Sequence, residues 1–93
     1  MASITLRCRI PELSDSEVII TIGDPVLDTE TPYGDYYCPL HIEPIHDPCR
    51  IYGVDAEQAS NLARRFIVLR FEGRSVLDTD LKPIDLAKML YSS

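Results

Sequence analysis

Four side chains able to bind a metal or act as nucleophile and base are spaced C-x2-H-x4-H-x2-C in the segment Cys38-Pro-Leu-His41-Ile-Glu-Pro-Ile-His46-Asp-Pro-Cys49. Two thiolates and two imidazoles are a ligand set for tetrahedral zinc. A cysteine near a histidine is also the beginning of a thiol nucleophile with its base. Either chemistry requires the side chains to meet on one side of the backbone. Pro44 and Pro48 cannot donate to a ladder, so they bound two strands and predict a turn over residues 43–48. A hairpin centred on that turn pairs Cys38 with Cys49, Leu40 with Asp47 and His41 with His46. Residues three apart on a regular strand point to opposite faces, which turns the histidines away from the cysteines. Only a bulge or an irregular loop would gather all four. The expectation is a structural hairpin, with Cys38 packed as a small hydrophobe, Cys49 beside it and no bound metal. Cys38, His41, His46 and Cys49 are the metal candidates.

Other chemistries find less support. Asp24, Asp28, Glu30 and Asp35 do not fall at the ligand positions of a calcium-binding helix–loop–helix, and no phosphate-cradling glycine loop or dinucleotide fingerprint occurs. No pair of carboxylates in differing surroundings can be picked out. The chain is therefore expected not to be an enzyme and to carry no cofactor. Three cysteines, an odd number, fit a reducing compartment better than a disulfide framework. Arg7 and Arg9 interrupt the first apolar run, and no apolar stretch is long enough to span a bilayer, so a cytoplasmic location and no membrane contact are expected.

The net charge of −6 conceals a division. Residues 10–49 hold nine acids (Glu12, Asp15, Glu17, Asp24, Asp28, Glu30, Asp35, Glu43, Asp47) and no lysine or arginine, whereas the rest of the chain holds six acids against nine bases. The first part carries −9 and the remainder +3. Arg64, Arg65, Arg70 and Arg74 form the one basic group, but the overall acidity argues against direct nucleic-acid binding. An acidic field instead speeds association with a basic protein.

The elements that would position these groups follow from periodicity. With 93 residues, 45% hydrophobic and 26% charged, the chain is one globular domain spanning residues 1–93. Ile4, Leu6, Cys8 and Ile10 alternate with polar residues, as do Val18, Ile20 and Ile22, predicting two strands joined by the polar turn 11–16. Residues 23–35 read as a solvated acidic loop in which Val26 and Leu27 pin against the core. Strands follow over 36–43 and 49–54. Asp55, with Gln58 three residues on, is an N-cap signature. The helix it opens carries a stripe at Ala59, Leu62, Ala63, Phe66 and Arg70, broadened by Ile67 and Leu69. Gly73 is a stop, and Pro83 at a first helical position predicts a short second helix or a docked turn. The fold class is α+β: an antiparallel meander of about four strands packed on one main α-helix, with a short C-terminal helix.

Cys38-Pro39-x-x-Ile42, followed by Gly53-Val54-Asp55-x-x-Gln58-Ala59-x-x-Leu62-Ala63, resembles a widespread family of short bacterial proteins of uncharacterised function. In that family a C-P-x-x-I segment precedes a helix opening G-V-D-x-x-Q-A. Ile22-Gly23-Asp24-Pro25 is similar to its preceding strand end, so the resemblance covers roughly residues 17–73. It implies a meander followed by a helix and carries no activity. Of the four metal candidates only Cys38 belongs to the shared pattern.

The function expected from these features is that of a small acidic protein-binding module, inhibitor or immunity-like and bacterial or phage in type. It docks the acidic face of residues 10–49 on a basic protein partner, such as a nuclease toxin or a nucleic-acid-handling complex. Asp28, Glu30, Asp35, Glu43 and Asp47 supply charge, and Tyr33 and Tyr36, with Tyr37 beside them, supply aromatic contact area. The alternative is a small-ligand-binding or housekeeping domain, dimeric through a sheet edge. Either monomer or homodimer is compatible with the sequence.

Overall fold

A computed structural model describes residues 3–30 and 34–91. Five strands and two helices follow one another: β1 (Ile4–Cys8), β2 (Val18–Ile22), β3 (Val26–Leu27), β4 (Tyr36–Glu43), β5 (His46–Gly53), α1 (Ala56–Arg70) and α2 (Leu86–Tyr91). The strands make one antiparallel sheet. β4 lies inside it: β2 and then β3 run along one of its edges, β5 along the other, and β1 flanks β2. The α+β architecture expected from periodicity is the one observed. Among the described residues no helix is long and apolar enough to cross a membrane.

The alternation read in the sequence sets the faces. Val18, Ile20 and Ile22 of β2 and Cys38, Leu40 and Ile42 of β4 are buried on one side of the sheet. α1 lies over β4 and β5 on that side, contributing buried Ala59, Ala63 and Ile67. Each fully buried isoleucine or leucine is worth about 1.5–3 kcal/mol, far more than any single surface contact, so this face cannot be exchanged for the other. Leu86 and Leu90 of α2 close the core.

The helix is rotated from the stripe predicted for it. Ser60 is buried and Phe66 is only half-buried, while Leu62, Leu69 and Arg70 are exposed. The small residues explain this. A Cβ built on Gly53 would stand 2.5 Å from the Ala59 nitrogen and 2.9 Å from its Cα, so backbone meets backbone here and the helix turns Ala59, Ser60 and Ala63 to the sheet. Ser60 is tolerated because its hydroxyl accepts from the Arg64 guanidinium. At the N-terminus Asp55 accepts the Gln58 N–H at 2.7 Å, and the Gln58 side chain accepts the Val54 N–H at 2.7 Å, a reciprocal cap as expected.

Two further expectations are corrected. Val26 and Leu27 are 42% and 47% exposed; instead of entering the core they form β3, pairing with Tyr37 and Tyr36. Pro83 is not the first helical residue. It bridges Leu77, and Asp85 caps α2 by accepting the Lys88 N–H at 3.2 Å. Leu77 in turn exchanges backbone hydrogen bonds of 2.7 and 2.8 Å with Arg9, which fastens the tail to the strand-one edge.

Candidate interaction surface

β4 and β5 are joined by a turn of only two residues, Pro44 and Ile45, so β5 begins at His46 and not at Cys49. The register differs from the predicted hairpin by two: Cys38 pairs with Ile51, and Leu40 with Cys49. Between Leu40 and Ile42 the register shifts, placing two β5 residues, Asp47 and Pro48, opposite one. Pro48 has no N–H to keep a regular ladder. The shift reverses the face of what lies beyond it. His46 sits opposite Ile42 and meets the Phe66 ring edge-on at 5.7 Å between centroids, whereas His41 stays on the other face, 3.6 Å from the Glu43 carboxylate. The histidines thus part to opposite faces instead of sharing the one away from the cysteines.

Among the described residues no three Cys, His, Asp or Glu side chains come together to hold a metal. Cys38 and Cys49 do lie on the same face, as paired positions Cys38–Ile51 and Leu40–Cys49 require. Burial pushes both thiols up, and burial with a contribution from Glu17 pushes Cys8 up to about 11. All three are free thiols, protonated near neutral pH and so poor nucleophiles.

The charges are arranged by the ends of the sheet. At the end formed by β3, the start of β4 and the end of β5, residues 28–35 and 53–58 supply five acids (Asp28, Glu30, Asp35, Asp55 and Glu57) and no lysine or arginine. Glu30, Asp55 and Glu57 are exposed. Asp28 is 7% exposed; its carboxylate accepts the Glu30 N–H at 2.9 Å and the Tyr52 hydroxyl at 3.1 Å, so it organises the loop. Its N–H donates to the Asp35 carbonyl at 2.8 Å. The Tyr52 and Tyr37 rings stand 5.6 Å apart, and the Arg50 guanidinium lies 4.4 Å over Tyr37.

At the opposite end two acids are paired with arginines, while Glu43 and Asp47 there are exposed. Arg7 meets Glu17 at 2.7 Å and Arg74 meets Glu12 at 3.4 Å. Glu12 also accepts the Ser75 N–H at 2.9 Å, and that bond, more than the arginine, holds its carboxyl below the usual range. Arg9 donates to the Asp15 carbonyl at 3.3 Å.

The predicted contact residues are thus divided. Asp28, Glu30, Asp35 and Tyr36 belong to the acidic end, where Tyr36 is half-buried against the core. Glu43 and Asp47 lie at the other end of β4, roughly 23 Å away at about 3.3 Å per residue. Tyr33 lies outside the described residues. The expected single acidic face over residues 10–49 is therefore split, and Asp28 is a buried organiser instead of an exposed charge. Sequence reading missed Asp55, Glu57, Arg50 and Tyr52. The first two were legible as a cap and its helix dipole partner; their joining the 28–35 loop depends on the pairing of Tyr36 with Gly53, which only the fold supplies. Comparison of the chain with family models, with curated proteins and with solved structures found no match.

Proposed function

We propose that the protein is a small acidic protein-binding module, inhibitor or immunity-like, which docks the carboxylate-rich end of its sheet on a basic surface of a protein partner. The observation that carries this reading is the density of carboxylates at one end: residues 28–35 and 53–58 hold five acids, of which Glu30, Asp55 and Glu57 are exposed. Glu30 and Glu57 present charge there, and Tyr52 and Tyr37 offer the rigid aromatic area that anchors interfaces. Occupying a phosphate-binding surface would inhibit a basic nuclease toxin or a nucleic-acid-handling complex without chemistry. The partner is thus a basic protein, with nucleic acid excluded, and the protein is no enzyme.

The test is affinity purification at low salt with the wild type, Glu30→Lys/Glu57→Lys, and Glu43→Lys/Asp47→Lys. A basic protein retained by the wild type, released by salt, lost with the first variant and kept by the second is expected. Equal retention by both variants would remove the acidic end as the docking surface.

A second reading, a small-ligand domain, has one observation in its favour: a shallow groove of about 430 Å³ between α1 and α2, lined by Val68, Phe71, Val76, Ile84 and Leu86 among others. Thermal stabilisation by a metabolite, with no salt-sensitive protein partner, would favour it.

A further inference from the structure

β5 pairs with β4 on one side, and no other described strand pairs with it. Which of its backbone groups are left over follows from the register. Gly23 donates to the Pro39 carbonyl and Asp28 to the Asp35 carbonyl, both at 2.8 Å, so the odd-numbered residues of β4 turn their backbone groups toward β2 and β3. Antiparallel ladders alternate bonded and non-bonded pairs. Arg50 and Tyr52, opposite Pro39 and Tyr37, therefore direct N–H and C=O outward. Val54 points its N–H the same way, but Gln58 already accepts it at 2.7 Å. Pro48 offers a carbonyl alone. The open edge consists of two complete donor–acceptor residues placed symmetrically about Ile51.

We propose that this edge is a homodimer site: β5 pairs antiparallel with β5 of a second copy about a two-fold axis through Ile51. In that register Arg50 lies opposite Tyr52 of the second copy, twice, and every outward N–H and C=O of these residues is bonded. Centring on Cys49 sets Pro48, without an N–H, against Arg50. Centring on Gly53 sets Tyr52 against Val54, whose N–H is taken. The bulge and proline that guard many edges against promiscuous pairing here select one register.

The side chains are self-complementary in it. On the outer face the Arg50 cation comes beside the ring of Tyr52 of the second copy, whose hydroxyl is bound to a carboxylate, Asp28, at 3.1 Å. Val54, 69% exposed, meets Pro48. On the helix face Ile51 meets its own copy beneath a flank of α1 that leaves Leu62 39% exposed. Phe66 locates that flank, since its ring contacts His46 of β5, and Leu62 lies one turn earlier on the same stripe. The other outer strand, β1, is less open: its continuation at Arg9 is covered by Leu77.

This pairing rests on different groups, the outward N–H and C=O of β5, although it shares Tyr52 and Asp55 with the acidic docking surface, and it responds to salt in the opposite sense. Each copy carries −6, and the register brings Asp47 near Asp55 of the second copy, so added salt tightens the dimer while it weakens docking on a basic protein.

Sedimentation equilibrium over a micromolar-to-millimolar dilution series tests it. The expected result is a mass rising to twice the 10.5 kDa of one chain, with hydrogen exchange at the Arg50 and Tyr52 amides slowing as concentration rises. Arg50→Pro removes an outward N–H without touching the β4 ladder and should weaken dimerisation about tenfold or more. Arg50→Ala, which keeps the N–H, should weaken it less. Ile51→Cys should cross-link across the axis under mild oxidation where the wild type does not. A single-chain mass at every concentration overturns the proposal, as does a dimer whose Arg50 and Tyr52 amides stay unprotected.

Discussion

At the end of the sheet holding the turn after β1, Glu12 and Glu17 each touch an arginine and Arg9 binds a backbone carbonyl. At the other end the segments 28–35 and 53–58, joined by the pairing of Tyr36 with Gly53, hold five carboxylates, with Arg50 over Tyr37 beside them. Hydrogen bonds and close packing hold the second end together. Asp28 is consumed in loop bonds, Asp55 caps the helix, and Gly53 lets the helix backbone press on the strand. The difference teaches how a small domain can carry an acidic surface: hydrogen bonds donated to the carboxylates and close backbone packing offset the repulsion between them. It also gives three ways to break the comparison.

The largest expected effect comes from Gly53→Ala. The added methyl would stand 2.5 Å from the Ala59 nitrogen and 2.9 Å from the Gln58 carbonyl carbon. Both are backbone atoms that cannot swing aside. A loss of about 3 kcal/mol is expected, at the upper end of overpacking costs, or a fall in Tm of roughly 12 °C or more for a domain of this size. Gly73→Ala is the control: its φ is +79° but nothing lies within 4 Å of an added Cβ, so only backbone strain is felt, of about 1 kcal/mol. Equal melting of the two variants would mean that the acidic end is not held by close approach.

Asp28→Ala should come next. It leaves the Tyr52 hydroxyl and the Glu30 N–H without their acceptor, which costs about 1–3 kcal/mol where such groups are shielded from water. The loss should be read in thermal unfolding and in faster exchange of the Glu30 amide. If Asp28 were instead a surface charge, as the sequence suggests, its removal would be neutral or slightly stabilising.

Asp28 also marks where the sequence stops being legible. Alternation in β1, β2 and β4 was readable because each buried position is worth far more than any competing local preference. The Asp55–Gln58 cap was readable because its donors and acceptors lie within one turn. The 43–48 turn misleads, because two prolines read as the bounds of one loop, whereas Pro44 lies in the turn and Pro48 lies within β5 beside a bulge. That displaced register sent His46 to the helix face and Cys49 opposite Leu40. The helix stripe was misread for a related reason. Size decided it more than hydrophobicity, with Ala59, Ser60 and Ala63 admitted to the sheet and Leu62 left 39% exposed. The acidic end was half visible, since composition marks residues 10–49 as acidic but pairing alone decides which acids meet Asp55 and Glu57 and which meet arginines.

The smallest effect is a matter of sign. Glu17→Gln removes a partner from Arg7, a pair whose side chains are 61% and 32% exposed. Pairs this exposed are worth about 0.2–1 kcal/mol, so the variant should be slightly less stable. Glu30→Gln removes a charge from the carboxylate-rich end while leaving intact the N–H that Asp28 binds. Relief of like-charge repulsion should make it slightly more stable, by about 0.5 kcal/mol or less. Chemical denaturation with urea, which adds no ionic strength, can compare the two at low salt and again at about 1 M, where the screening length falls to about 3 Å. The difference between the variants should shrink toward zero as salt rises. Loss of stability in both, unchanged by salt, would show that the two ends do not differ electrostatically, because each glutamate would then act only through local bonds of its own.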